Sequence, residues 1–294
     1  MPNFEFLSSI FCYLKLAERL QKMPLYTTKG IVLRNQELGE ADKIVTLYSQ
    51  KFGKIRGVAR GIRKTTSKFG SGVEIFTCAD YLIYGKENKE LDIITQIQII
   101  HSFQEIREDL DKITTGAFIL ELVDTLVAGR EKDPLLFSLI LQTLTWLKVE
   151  INELIIPTFV LKIMSLLGLK PYLGESCILC HKLIDKMQFS PGQGGIICTS
   201  HQIKDGITLS NGLRSLINQL LILDISQIRK IQVANNLLLD IRRLVIDNYL
   251  NYHLQKPLKS MEWIGNYRNG YEGNCSIFCG KGRKLRNDKC SLKR

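Results

Sequence analysis

No histidine in this 294-residue sequence has a glutamate two residues on, and no G-x-x-x-x-G-K-[ST] run occurs. The first absence excludes the H-x-E chemistry of zinc deaminases, and the second leaves P-loop nucleotide hydrolysis without support. Long hydrophobic runs are missing too. Residues 4–16 are apolar, but no basic segment precedes them and no small-x-small cleavage site follows, so they do not read as a secretion signal. They are also too short to span a bilayer. Residues 1–22 are therefore expected to be an N-terminal extension, with Met23 as an alternative first residue. Acidic charge is in short supply: 29 Asp and Glu stand against 40 Lys and Arg, a formal net charge of +11. A surplus of this size favours a polyanionic partner such as nucleic acid. The eight cysteines form no disulfide framework, since Cys12, Cys78, Cys275, Cys279 and Cys290 are scattered, which points to a reducing, cytoplasmic setting.

The remaining three cysteines are organised. Cys177-Ile-Leu-Cys180 and Cys198-Thr-Ser-His201 are two short pairs with seventeen residues between them. Each pair bends the chain so that two soft donors reach one ion, and this spacing is that of a zinc site. Gly194-Gly195 precedes the second pair, where a turn with positive φ is useful. Four protein ligands close such a site, so a structural zinc is expected and no enzyme activity. His181, next to Cys180, competes with His201 for the fourth place. Cys275, Cys279 and Cys290 lack a histidine partner nearby, so a second site there is disfavoured.

From Tyr26 onward the sequence has strand texture. The runs Gly30-Ile31-Val32-Leu33, 43–48, 55–62, 73–84 and 91–100 are β-branched or aromatic and separated by polar turns. Five strands in about 75 residues suggest an OB-type barrel, with a three-on-two sandwich as the alternative. Residues 51–72 carry Lys51, Lys54, Arg56, Arg60, Arg63, Lys64 and Lys68 and no acidic residue. Lys54, Arg56 and Arg60 share one parity, so they are expected to line one strand face toward DNA. Thr65, Thr66 and Ser67 add hydroxyl donors, Gly57 and Gly61 permit close backbone approach, and Phe52 and Phe69 are candidates for base stacking.

After Phe103 the apolar period lengthens to that of helices. Residues 113–129 form one, with Gly129 as its stop, and Asp133-Pro134 opens another through Lys148. Residues 154–167 read as a core helix ended by Gly168 and Pro171. Ser210 caps a short helix, and residues 233–253 form a long last one with Arg242-Arg243 on its polar side. His101 and His253 have no ligand-like neighbours. The fold class is thus α+β: an extension at 1–22, an OB-fold DNA-binding domain at 23–102, a helical domain at 103–264 with a zinc finger inserted at 171–206, and a basic tail at 265–294 expected to be disordered.

Leu38-Gly39-Glu40-Ala41-Asp42-Lys43-Ile44-Val45, the run from Gly53 to Arg63 with Ser67 beyond it, Leu167-Gly168-Leu169-Lys170-Pro171 and Gly194-Gly195-Ile196-Ile197-Cys198 together resemble the RecO family of bacterial recombination mediators. The likeness covers residues 24–263. It implies an OB-fold followed by a helical domain with a zinc finger. It also implies binding of single- and double-stranded DNA, annealing of complementary strands, and work with RecR and single-strand-binding protein to load RecA, in the cytoplasm at the nucleoid. That family often has a fourth cysteine where this chain has His201. Without the resemblance, a zinc-ribbon RNA-binding or transcription-associated module suits the same features.

Overall fold

The computed structural model describes residues 25–62, 69–85, 91–201 and 203–267. The extension at 1–22, the loop residues Arg63, Lys64 and Lys68 with Thr65, Thr66 and Ser67, and the tail cysteines lie outside them. Five strands, β1 (Leu25–Leu38), β2 (Asp42–Ser49), β3 (Gly53–Ala59), β4 (Cys78–Tyr84) and β5 (Asp92–His101), close into a barrel in the order β1-β2-β3-β5-β4. The barrel replaces the sandwich alternative. Its pleat sorts the side chains by parity. Val32, Val45, Leu47, Ile55, Ala59, Ala79, Tyr81, Ile83 and Ile94 fill the interior. At Gly57 a Cβ would lie 2.9 Å from Ile94, so this glycine serves closure of the parallel β3–β5 pair rather than approach of a ligand.

The run expected as a strand from Val73 begins differently. Gly70–Val73 is a 3-10 turn, Phe76 takes φ +74, and β4 starts at Cys78. The kink has a packing cause. Phe69 and Val73 plug the barrel, whereas Phe76 turns outward into the helical core, where its ring leaves no room for a Cβ on Gly116. A left-handed conformation costs a non-glycine residue about 1 kcal/mol or more, which burial of a phenylalanine outweighs.

The helical domain comprises α1 (Leu110–Leu126), α2 (Pro134–Val149), α3 (Ile155–Leu166) and α4 (Asn211–Ile222), then α5, which runs from 235 to 253 with a π-helical stretch at Arg243–Leu250, and finally α6 (Ser260–Tyr267). The side chains of Asp109, Asp133 and Ser210 accept N–H bonds at the starts of α1, α2 and α4. Sequence periodicity missed α6, whose cap comes from afar: both carboxylate oxygens of Glu121 on α1 accept from the N–H groups of Lys259 and Ser260, at 3.0 and 2.9 Å. The helical domain therefore continues past 264, the boundary expected. Among the described residues no helix is long and apolar enough to cross a membrane.

Barrel and helices share one core. Ile31, Leu33, Tyr48 and Cys78 sit on the barrel's outer face and belong to the same buried cluster as Phe118, Leu122, Ile140 and Phe159. Burial pushes the Tyr48 phenol up to about 12 and the Cys78 thiol up to about 11. The polar rim of this seam is specific. Lys54 donates its N–H to the Gly129 carbonyl at 3.2 Å and its Nζ to the Asp124 carbonyl at 2.7 Å. The Asp124 carboxylate lies 3.4 Å from Lys54 and 3.6 Å from Arg34. Arg130 reaches back to the buried Asp92 at 2.5 Å, and the Tyr26 hydroxyl donates to the same oxygen at 2.7 Å. At Gly53, φ is +65 and a Cβ would meet the Glu131 backbone oxygen at 2.2 Å. Gly53→Ala should therefore cost about 2–4 kcal/mol through strain and overpacking together. Urea unfolding that shifts by less than 1 kcal/mol, as an order of magnitude for a surface change, would contradict this account of the seam.

Candidate metal centre and nucleic-acid interface

The segment between α3 and α4 is an excursion with its own sheet. Its strands β6 (Met187–Ser190), β7 (Gly195–Cys198) and β8 (Ile207–Leu209) pair antiparallel in the order β7-β6-β8. Gly194 takes φ +68 before β7, as its place in the sequence suggests. Tyr172 brackets this turn, donating to the Gly194 carbonyl at 2.8 Å and accepting from Ile196 at 3.0 Å. A Cβ on Gly195 would lie 2.9 Å from the Tyr172 Cβ, so this glycine is needed for the contact. One face of the sheet, through Met187, Phe189, Ile196 and Leu209, joins the helical core, and the Phe189 ring meets Tyr249 of α5 edge-on at 5.4 Å. The segment is thus packed into a hydrophobic core, and the four candidate ligands lie at the end of the sheet where the two knuckles meet.

There the four expected ligands converge. Cys177, Cys180, Cys198 and His201 offer ligand atoms that all lie within 4.8 Å of one another. The Sγ atoms of Cys180 and Cys198 are 3.8 Å apart, and His201 Nδ1 is 3.7 Å from Cys177 Sγ and 3.1 Å from Cys198 Sγ. Sulfur ligands at about 2.3 Å around a tetrahedral ion stand roughly 3.8 Å apart, so the donor set fits a metal ion. Burial opposes ionisation of Cys177, yet the backbone at Cys180, Cys198 and Leu179 outweighs it and holds this thiol down at about 6. A thiolate is the form that binds metal. His181 is exposed, takes φ +59 and donates its N–H to the Cys177 carbonyl at 2.8 Å; the cluster contains His201 instead.

The basic stretch is divided by the fold. Of Lys54, Arg56 and Arg60, expected on one strand face, the first two alternate with the buried residues of β3 and Arg60 lies past its end, but outward does not mean toward solvent along the whole strand. Lys54 is turned into the domain seam and bound to Asp124, so the assignment of this lysine to DNA gives way to a role in docking the two domains. Arg56 is half-buried. Lys51 is exposed at the start of the run, its Nζ 3.2 Å from the Thr27 carbonyl. Arg60 is exposed at the far end, where Gly61 takes φ +68 and donates its N–H to Asp42 at 2.8 Å. The stacking expectation fails for Phe69, which is 6 % exposed inside the barrel. Phe52 is half-buried with its ring against Tyr26 at 4.6 Å. Arg63, Lys64 and Lys68 lie outside the described residues. His253 is held between the rings of Tyr249 and Tyr252, and burial lowers its pKa; His101 is exposed beside Phe103.

Purified protein should hold about one divalent metal ion per chain, the capacity of one four-ligand cluster. Elemental analysis should find it lost in Cys198→Ser and His201→Ala and kept in His181→Ala. Removing the metal should speed amide exchange at 176–183 and 198–201, whereas Phe189 and Ile196 stay protected. Retention of metal by His201→Ala would disprove the ligand set.

Comparison with known proteins agrees with the architecture. The family model described as recombination protein O N terminal matches residues 23–103, and the one described as recombination protein O C terminal matches 107–262. Relatives named DNA repair protein RecO are 33% identical over 247 residues in Desulforamulus reducens, covering 82% of this chain and 94% of that protein. In Pelotomaculum thermopropionicum the identity is 33% over 248 residues, covering 83% and 95%. In Bacillus mycoides it is 30% over 239 residues, covering 80% and 95%. With both halves matched in order and the barrel, helices and knuckles in place, the chain belongs to the RecO family.

Proposed function

We propose that this protein is a DNA-binding recombination mediator without covalent chemistry. It anneals complementary single strands and helps load recombinase onto strands coated by single-strand-binding protein. The observation that carries this reading is the acid-free basic run at 51–72, in which Lys51 and Arg60 are exposed. Guanidinium and ammonium groups there neutralise phosphates. Two strands held on one positive surface repel each other less, and base pairing then supplies the sequence matching. Binding extends to single- and double-stranded DNA, because phosphate contact does not depend on strandedness.

In the same reading RecR and single-strand-binding protein are the protein partners, RecA benefits indirectly, and the protein works at the nucleoid. The three sulfurs and one nitrogen of the cluster suit zinc, which holds the two knuckles together when bound. Cys177, Cys180, Cys198 and His201 leave no ligand position open for a substrate, so the metal's part is structural.

The test is the salt dependence of DNA binding. Log K for single strands falls by roughly 0.7 per phosphate contact for each tenfold rise in salt. Replacing Arg56, Arg60, Arg63 and Lys64 with alanine should flatten the slope by about 2–3 if each makes one contact, and should slow annealing of coated strands. Lys54→Ala should change stability while leaving the slope nearly intact. An unchanged slope in the quadruple variant would sink the assignment. RNA strands that compete as well as matched DNA would move it to the zinc-ribbon RNA-binding alternative.

A further inference from the structure

The second half of β5 has a strand neighbour on one side only. Parallel pairing with β3 stops at Ala59 and Ile94, whereas β5 continues beside β4 to His101. A register shift at Thr95, passed over between the Ile83–Ile94 and Leu82–Gln96 pairs, peels β5 away from β3. A second shift leaves out Ile100. Between the two, residues 96–99 keep regular pairing with β4, and among the described residues no strand covers their other edge. In a strand paired on one side, alternate residues direct N–H and C=O outward and form a template for another chain.

Such edges are usually protected by lysine or proline. Here residues 95–100 read Thr-Gln-Ile-Gln-Ile-Ile, with no charge and no proline. Gln96, Gln98, Ile99 and Ile100 are all exposed, Ile99 at 41% and Ile100 at 37%. The shift at Thr95 separates the edge from β3 without covering it. A neutral edge with two exposed isoleucines is suited to binding by main-chain hydrogen bonds, with side chains alternating across the added strand.

Charge selects the occupant. Arg60 is exposed and follows Ala59, the residue paired with Ile94, so it stands where β5 leaves β3 and opens a run to residue 72 that contains no acid. Asp80, opposite Gln98 on β4, is answered by Lys29 at 3.7 Å. A second copy of this chain would bring its own +11, which disfavours self-pairing. We propose that the β5 edge at 96–100 is a docking site for an extended acidic segment of a partner protein, which joins the barrel as an added strand. Its backbone pairs with the edge, its apolar side chains lie on Ile99 and Ile100, and its carboxylates face Arg60. The site adjoins the basic run and shares Arg60 with it, whereas the main-chain pairing and the apolar contact are made by the β5 edge alone.

The probe is a capped heptapeptide of alternating glutamate and valine, titrated into the full-length protein at low salt. Amide exchange should slow at 96–100. Methylating every second peptide nitrogen should weaken binding about tenfold or more, because those groups can no longer donate. Ile99→Asn should also weaken binding, with circular dichroism and oligothymidine affinity unchanged. No binding at millimolar peptide, equal binding of the methylated peptide, or equal binding of a lysine–valine counterpart would each overturn the proposal. So would an oligothymidine that displaces the peptide and protects the same amides, which would assign the edge to nucleic acid.

Discussion

The arrangement of barrel and helices rests on the contact between the start of β3 and the end of α1 with the loop that follows it. Gly53 lets the chain lie against the Glu131 backbone, Lys54 uses both its N–H and its ammonium on the α1 terminus, and Asp124 holds Arg34 as well. Lys54 and Asp124 are each about one-fifth exposed, so their attraction is screened less than that of a surface pair. Behind them Tyr48, Ile31, Leu33 and Phe76 are buried against the helices. The pairs fix register, and the apolar area supplies most of the attraction. Once the seam is formed, one side of the barrel is committed to the helical domain, and the end of β3 and the second half of β5 lie outside it.

The metal cluster and the basic run therefore stand in different relations to the fold. The knuckles are local: four ligands from two turns, joined to the rest through a sheet whose inner face is packed on α5. The basic run is continuous in sequence but divided in space, since Lys54 on β3 docks the domains and Arg60, just past the end of that strand, is exposed.

What the sequence makes legible follows from the kind of signal each feature leaves. Metal ligands have fixed spacing, and capping residues such as Asp133 and Ser210 act within three residues, so both are readable without tertiary context. Alternation on β3 tells which side chains leave the barrel interior, but not whether water or a helix lies beyond; Lys54 is misjudged for that reason. Phe69 looks like a stacking residue because it borders the charges, and only closure of the barrel shows that it is a plug. The left-handed Phe76 leaves no local mark, since its partner Gly116 lies forty residues on. The helix α6 is similarly hidden, because its cap is a glutamate 138 residues upstream of Lys259.

The shared core also bears on how the chain is made. The family boundary falls between 103 and 107, which suggests two modules, yet the outer barrel residues Ile31, Leu33, Tyr48 and Phe76 are buried by helices beyond that boundary. Domains fold as they leave the ribosome, amino-terminal first. A barrel completed at His101 would wait, with an apolar flank bare, until α1 and α3 had followed it out. Vectorial synthesis thus gives the nascent barrel an interval in which a chaperone, or an unwanted neighbour, has the first opportunity to cover the surface that the mature protein reserves for itself.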